Sequence, residues 1–337
     1  MSNIDLFSSS GLPIFLFLQF LHPNNLKSLN NTKLITNNSD VKSNDFSGVE
    51  SKFGIDYSTI IESYRLAIKN GFHNFGLHIM AKSCVLDINY WSDLLDVIFA
   101  LVSDLHEIYS INLKFIDIGG GIGIQYKPGE PDINLEDLVL LLRRKFDENM
   151  NKYNLTLEPQ LFTECGRYIT GKFGWLIAEC KSVKILHNNI FFGLDASMAN
   201  LMRPGMYGAY HHITVPEAEF RNENNKIKLN IKTNVVGTLC ENNDWFAKFR
   251  DLPFGIKEGD LFVIHDTGAH GYSMGFNYNS KLRCTELLKL NGNVQCIRNR
   301  ERFEDLIRNC TTYNLADFYI FTYAIIIIGI IFILANL

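Results

Sequence analysis

"LKFIDIGGGIGIQY", residues 113–126, decides how the chain is read. The apolar run "KFIDI" (114–118) has the length of a buried strand, and it ends in Gly119, Gly120, Gly121 and then Gly123. Strands end in glycines where another backbone, or a phosphate, must come close. A dinucleotide fold would need G-x-G-x-x-G leading straight into a helix. Here "IQYKPGEPDI" intervenes, with Pro128 and Pro131, so that reading is poor. Taken alone, the glycines serve a tight turn equally well.

Working outward, "IDYSTIIESYRLAIKNG" (55–71) has helical spacing with Gly71 as its stop, "HNFGLHIM" (73–80) reads as a strand, and residues 91–111 form a strongly amphipathic helix. Downstream, residues 134–153 are helical, with Asn134 and Asp137 placed to favour the N-terminus. "QLFTECG" (160–166) and "NIFFGLDA" (189–196) read as further strands. This alternation predicts a parallel sheet with ligand contacts at the strands' C-terminal ends. After about residue 206 the pattern changes to short strands at 225–240, 259–268, 283–292 and 293–299, which predict a mostly antiparallel β domain closed by a short helix at 300–308. Residues 12–21 read as a buried strand, and the Asn-rich segment 23–44 as loop or disorder. The expected organisation is therefore an irregular segment 1–50, part of an α/β barrel over 51–205, a β domain over 206–309 and an apolar tail at 318–337. A closed eight-stranded barrel takes about 250 residues, whereas only four or five barrel-type strands can be counted here, as though the chain began late.

With 337 residues, 47% hydrophobic and 20% charged, the chain can bury a large core. A formal net charge of −4 without any long Lys/Arg run argues against a nucleic-acid partner. The seven cysteines are widely spread and form no CxxC pair, which speaks against a zinc site or a disulfide framework and for a reducing, cytoplasmic setting; no metal is expected. Residues 318–337 carry no charge over twenty positions, long enough for a transmembrane helix; the alternative is an apolar appendage on a soluble enzyme.

Four segments carry candidate chemistry. "TECGRY" (163–168) offers a second strand-end turn with Glu164 and Arg167, which either form a surface ion pair or face a cavity. In the latter case the N–H groups of Gly120, Gly121, Cys165 and Gly166 could surround one phosphate, beside a carboxylate suited to a protonated ring nitrogen. "NLMRPGMYGAYHHI" (200–213) places Arg203 and Tyr207 on one side of a turn, a plausible clamp for a substrate carboxylate. "GTLCENNDWFAK" (237–248) sets Cys240 beside Glu241, where the thiol is either a small buried residue or a proton donor. "GAHGYSMGFNYNS" (268–280) reads as a loop that touches a ligand.

In this order, over roughly residues 50–308, these segments resemble the diaminopimelate decarboxylases, pyridoxal-phosphate (PLP) enzymes of fold type III. The resemblance implies a partial (β/α)8 alanine-racemase-like barrel followed by a Greek-key-like β domain. It also implies decarboxylation of meso-2,6-diaminopimelate to L-lysine and CO2, the last step of lysine biosynthesis, by a homodimer that shares its sites across the interface. Carried over by position, Ser83, Gly120, Gly121 and the turn Glu164–Gly166–Arg167 would hold the cofactor, with Glu164 on the pyridine nitrogen. Arg167, Arg203 and Tyr207 would bind the substrate's distal carboxylate, Glu241 its distal amino group, and Tyr278 both cofactor and substrate. Cys240 would protonate the carbanion, reaching into the neighbouring subunit's site. Glu rather than Asp after this Cys favours diaminopimelate over ornithine.

Two departures stand against the resemblance. The family's Schiff-base lysine, within a Y-A-V-K-A-like motif, has no counterpart. In "GLHIMAKS" (76–83) only His78 and Ser83 match the family strand, with Met80 where a ring-stacking His belongs and Lys82 where a Gly belongs. Lys82 lies beside the expected phosphate site, a poor position from which to form the imine. These departures leave open a chain inactive by itself, a non-catalytic partner of a related decarboxylase, or a decarboxylase for another basic amino acid.

Overall fold

The computed structural model describes residues 16–20 and 53–311. The chain opens with four strands joined by helices: β1 (Leu16–Phe20), α1 (Tyr57–Lys69), β2 (Phe75–Ile79), α2 (Asn89–Tyr109), β3 (Phe115–Asp117), α3 (Leu135–Lys152) and β4 (Gln160–Phe162). The sheet runs β1-β2-β3-β4 and every pairing is parallel, as helical crossovers require. β2 is buried at all five positions, the mark of a parallel strand covered on both faces. α1 and α2 supply the cover. Ile60, Tyr64 and Ala67 line one face of α1, and Trp91, Leu94, Leu95, Ile98, Phe99, Val102 and Leu105 repeat at helical spacing along α2. Asn134 caps α3, its side-chain oxygen accepting from Glu136 N at 3.0 Å, with Glu136 and Asp137 in the first turn.

The second sheet begins earlier than the sequence pattern suggested. After the short helix α4 (Gly166–Thr170), the strands β5 (Leu176–Leu186) and β6 (Asn189–Leu194) form an antiparallel hairpin. His187 and Asn188 between them both have positive φ, 46° and 65°, the signature of a two-residue type I′ turn. Residues 189–196 are thus corrected from a parallel barrel strand to part of this sheet. Next come α5 (Arg203–Tyr207), β7 (Ile213–Thr214), α6 (Pro216–Asn224), β8 (Asn230–Val236), β9 (Trp245–Pro253) and β10 (Leu261–Ile264). The six strands order as β7-β10-β5-β6-β8-β9, with β6–β8 parallel and the others antiparallel. Its core joins Cys180, Phe192, Leu194, Val235, Phe246, Phe262 and Ile264. The architecture is therefore a partial α/β barrel followed by a sheet domain.

The chain divides into two compact units, the second beginning at Phe276. The second unit contains a hairpin of β11 (Glu286–Leu290) and β12 (Asn293–Arg298), and the short helix α7 (Phe303–Ile307). No helix among the described residues is long and apolar enough to cross a membrane, which leaves the transmembrane expectation without support there. Residues 318–337, like the segment 23–44 expected to be loop or disorder, lie outside the described residues.

Candidate active site

Three loops meet at the C-terminal ends of β2, β3 and β4. Asp117 closes the first turn after β3 by accepting from Gly119 N at 2.8 Å. The Gly119 carbonyl then accepts from both Glu164 N, at 2.9 Å, and Thr163 Oγ1, at 2.8 Å, tying the glycine turn to the loop after β4. Gly121 O accepts from Val85 N at 2.8 Å and ties the same turn to the loop after β2. The glycines are needed for this closeness. A Cβ on Gly120 would lie 2.7 Å from Glu164 O, and Gly121, at φ +102°, would put one 2.2 Å from Lys82 O.

Inside this junction His78 Nε2 lies 3.2 Å from Glu164 Oε2. Single ligand atoms of His78, Asp117 and Glu164 all fall within 4.8 Å of one another. His78 and Asp117 are buried, whereas the Glu164 side chain is 57% exposed, so a carboxylate faces outward from a buried base. Two carboxylates and an imidazole at one point suit a protonated ring nitrogen or a cation. Around them, the Gly120, Gly121 and Cys165 amides have no carbonyl partner among the described residues, while Gly166 N donates to Glu164 O at 2.8 Å. Of the four amides expected to surround a phosphate, that of Gly166 is thus engaged in the tight turn after Glu164. Open space in front of Gly166, where a Cβ would meet nothing, leaves room for a ligand group.

Beside the cradle two guanidiniums are buried. Arg167, the second residue of α4, donates to Tyr126 Oη at 2.6 Å and to Ser83 Oγ at 3.0 Å, while its Nε is buried without a partner among the described residues. Arg203, at the start of α5, lies 2.6 Å from His211 Nε2. Both sit over the Tyr126 ring, with Cζ 5.7 Å from its centre for Arg167 and 4.6 Å for Arg203. Neither forms an ion pair with any described carboxylate. Burial lowers the Arg203 pKa, with Arg167 adding to the shift. Burial likewise lowers that of His270, assisted by the same two arginines.

The other anticipated residues are more exposed than the two arginines. Tyr207, on α5 with Arg203, is partly exposed. Cys240 is an exposed free thiol in the loop between β8 and β9, and Glu241 Oε1 accepts from Asn243 N at 3.1 Å within that loop. No hydrogen bond or ion pair joins either to the arginines among the described residues. Tyr278 belongs to the second unit, half exposed on a single 3-10 turn. Lys82 Nζ lies 5.7 Å over the Tyr90 ring.

Residues 39–268 match the family model described as "Pyridoxal-dependent decarboxylase, C-terminal sheet domain". The chain belongs to this family. Among curated members, the diaminopimelate decarboxylase of Methanothermobacter thermautotrophicus is 35% identical over 261 residues, 77% of this chain and 59% of that protein. Protein TabA of Pseudomonas amygdali pv. tabaci is 39% identical over 76% of this chain and 58% of its own length. The crystal structure of diaminopimelate decarboxylase from Helicobacter pylori complexed with L-lysine superposes with a TM-score of 0.67 at 30% identity, covering 80% of this chain and 63% of that one. The chain thus spans about three fifths of the length of these relatives.

Tyr126 and His211 escaped the sequence reading as site residues. Tyr126 ends the opening glycine stretch and His211 lies in "YGAYHHI", so both stood inside quoted motifs. Tyr126, however, accepts from Arg167, 41 residues on, and His211 is oriented by His265, 54 residues on, both too distant in sequence for spacing to reveal.

Proposed function

We propose that this chain serves PLP-dependent decarboxylation of meso-2,6-diaminopimelate to L-lysine and CO2. The observation that carries the reading is the pair of buried arginines, Arg167 and Arg203, without a carboxylate counter-ion among the described residues, beside the glycine turn and Glu164. A substrate whose far end is a carboxylate supplies the missing anion, and a guanidinium binds it in a bidentate fork. Ornithine, which lacks that carboxylate, would leave both charges buried and unpaired.

The residues present fit the cofactor. The amides of Gly120, Gly121 and Cys165 would hold its phosphate, and the open space at Gly166 admits it. Glu164, oriented by His78, would keep the pyridine nitrogen protonated. When bound, PLP supplies an electron sink for the pair released as CO2 departs. Arg167, Arg203 and Tyr207 fix the distal carboxylate, and Glu241 takes the distal ammonium. Cys240 returns a proton to the α-carbon from the adjoining subunit of a homodimer. Its exposure on the β8–β9 loop is what a group acting in trans requires. All seven cysteines are free thiols, which fits a reducing compartment.

The test mixes this chain with a full-length diaminopimelate decarboxylase whose own proton-donating thiol has been replaced, with PLP present. Release of CO2 from meso-diaminopimelate, and not from L-ornithine, is expected once Cys240 completes the shared site. No release above that of the thiol-deficient enzyme, or preference for ornithine, would overturn the reading.

A further inference from the structure

We propose that His211 and Tyr126 are positioning residues, holding Arg203 and Arg167 as a fixed pair of cations whose charge only an incoming carboxylate can neutralise. This rests on the reading of the arginine pair as a carboxylate site and adds what holds it in place.

His211 is fully buried, with Nδ1 2.7 Å from the His265 carbonyl oxygen and Nε2 2.6 Å from Arg203 Nη1. A carbonyl oxygen can only accept, so Nδ1 carries the proton. A guanidinium can only donate, so Nε2 presents its lone pair. One neutral tautomer satisfies both contacts, whereas an imidazolium would set N–H against N–H. Burial and Arg203, with smaller contributions from Arg167 and Arg250, push the His211 pKa down to about 3. The backbone that carries the ring is held as well. Arg250 donates to the backbone oxygen of His211 at 2.7 Å, and Ile213, two residues on, is paired with Ile264 in the sheet.

Tyr126 completes the mount. Its ring edge meets His211 at 5.1 Å, its face carries both guanidiniums, and its hydroxyl accepts from Arg167. The acceptors recorded for the two arginines are Ser83 Oγ, Tyr126 Oη and His211 Nε2, all uncharged. Carboxylates in those places would give the same hydrogen bonds but cancel the charge that draws an anion. Uncharged acceptors fix the geometry and leave the field intact.

The experiment titrates the full chain with meso-diaminopimelate by calorimetry, using wild type, His211→Phe, His211→Gln and His211→Glu. In parallel, the ring nitrogens of His211 are followed by 15N NMR from pH 5 to 8 without ligand. Removing a hydrogen bond to a charged group should weaken binding by roughly tenfold to a hundredfold in His211→Phe. His211→Gln, whose amide oxygen can accept from Arg203, should recover most of it. His211→Glu, which keeps an acceptor but adds a negative charge, should bind no better than His211→Phe. The wild-type ring should stay neutral and Nδ1-protonated throughout. A wild type that fails to bind the diamino acid would sink the proposed function, and the NMR spectra would still judge the His211 mount. Unchanged affinity in His211→Phe, or an imidazolium at pH 6, would overturn the positioning role while leaving the carboxylate site standing. Should His211→Phe not fold, the Gln and Glu variants and the wild-type spectra decide.

Discussion

Replacing Asp244 with alanine should release the loop that carries Cys240 and Glu241. The carboxylate is 4% exposed, and its two oxygens accept from Met198 N at 2.6 Å and Leu239 N at 2.7 Å. The backbone of Asp244 adds two further ties, its N–H to Glu241 O at 3.1 Å and its carbonyl from Gly237 N at 3.0 Å. One side chain therefore pins the turn ahead of Arg203 to both ends of the β8–β9 loop. Hydrogen bonds to a charged group contribute about 1.5–3 kcal/mol each, so losing two should cost about 3–6 kcal/mol. That is a large share of the roughly 5–15 kcal/mol that holds a domain together. Asp244→Asn keeps one acceptor oxygen and turns an NH2 toward the other amide, so about half the loss is expected. Urea unfolding followed by tryptophan fluorescence measures the total, with Trp245 as a neighbouring probe, and amide exchange at Met198 and Leu239 measures the local release. If those two amides exchange no faster in Asp244→Ala, or stability falls by less than about 1 kcal/mol, the carboxylate is not the pin described.

The remaining predictions concern the cradle and its histidine. His211 has a folded pKa of about 3, below the usual histidine value near 6.5, so the unfolded chain binds the extra proton first. Its contribution to stability is therefore whole above pH 6.5 and is lost as pH falls toward 3. Between pH 7.5 and 5 wild type should lose roughly 2 kcal/mol more than His211→Gln, and equal losses in urea titrations would contradict this. Gly121→Ala should destabilise by about 3 kcal/mol or more, because the new methyl meets Lys82 O in a conformation that side chains rarely adopt; a thermal midpoint within a degree of wild type would remove the requirement for glycine. Lys82→Met should leave PLP affinity unchanged, since the amine packs over Tyr90; borohydride-trapped cofactor that forms in wild type and is lost in the variant would put Lys82 in the site instead.

The parallel half was legible because each element there carries its own local signal. Helical spacing marked α1 and α2, Asn134 marked the start of α3, and the glycine run marked the end of β3. The β5–β6 hairpin was not legible. Its type I′ turn is built by His187 and Asn188 without glycine, so β5 went unseen and β6 was assigned to the wrong sheet. β9 went unseen too, because "WFAKFRDLP" breaks strict alternation where bulges shift its register against β8. At the site, the strand-end turns were readable from composition. The Tyr126–His211 mount was not, since it depends on contacts between residues 41 and 54 apart in sequence.

That separation ties assembly of the anion site to formation of the second sheet. Arg167 follows β4, but Arg203 and His211 follow β6, and His211 gains its orienting acceptor only at His265, just past β10. The β7–β10 pairing aligns Ile213 with Ile264 and continues through His265 N to His212 O at 2.9 Å. A slip of one residue there would turn alternate side chains to the other face and remove the carbonyl from His211 Nδ1. Without that acceptor, Arg203 alone is left to select the tautomer, and the Nδ1 proton loses its partner. The two cations would then be free to repel each other or take a protein carboxylate as partner. Substitutions on the β7–β10 seam that leave the parallel sheet folded should therefore weaken anion binding in proportion to the seam's loss of amide protection, and strong binding retained beside an unprotected His265 amide would refute that coupling.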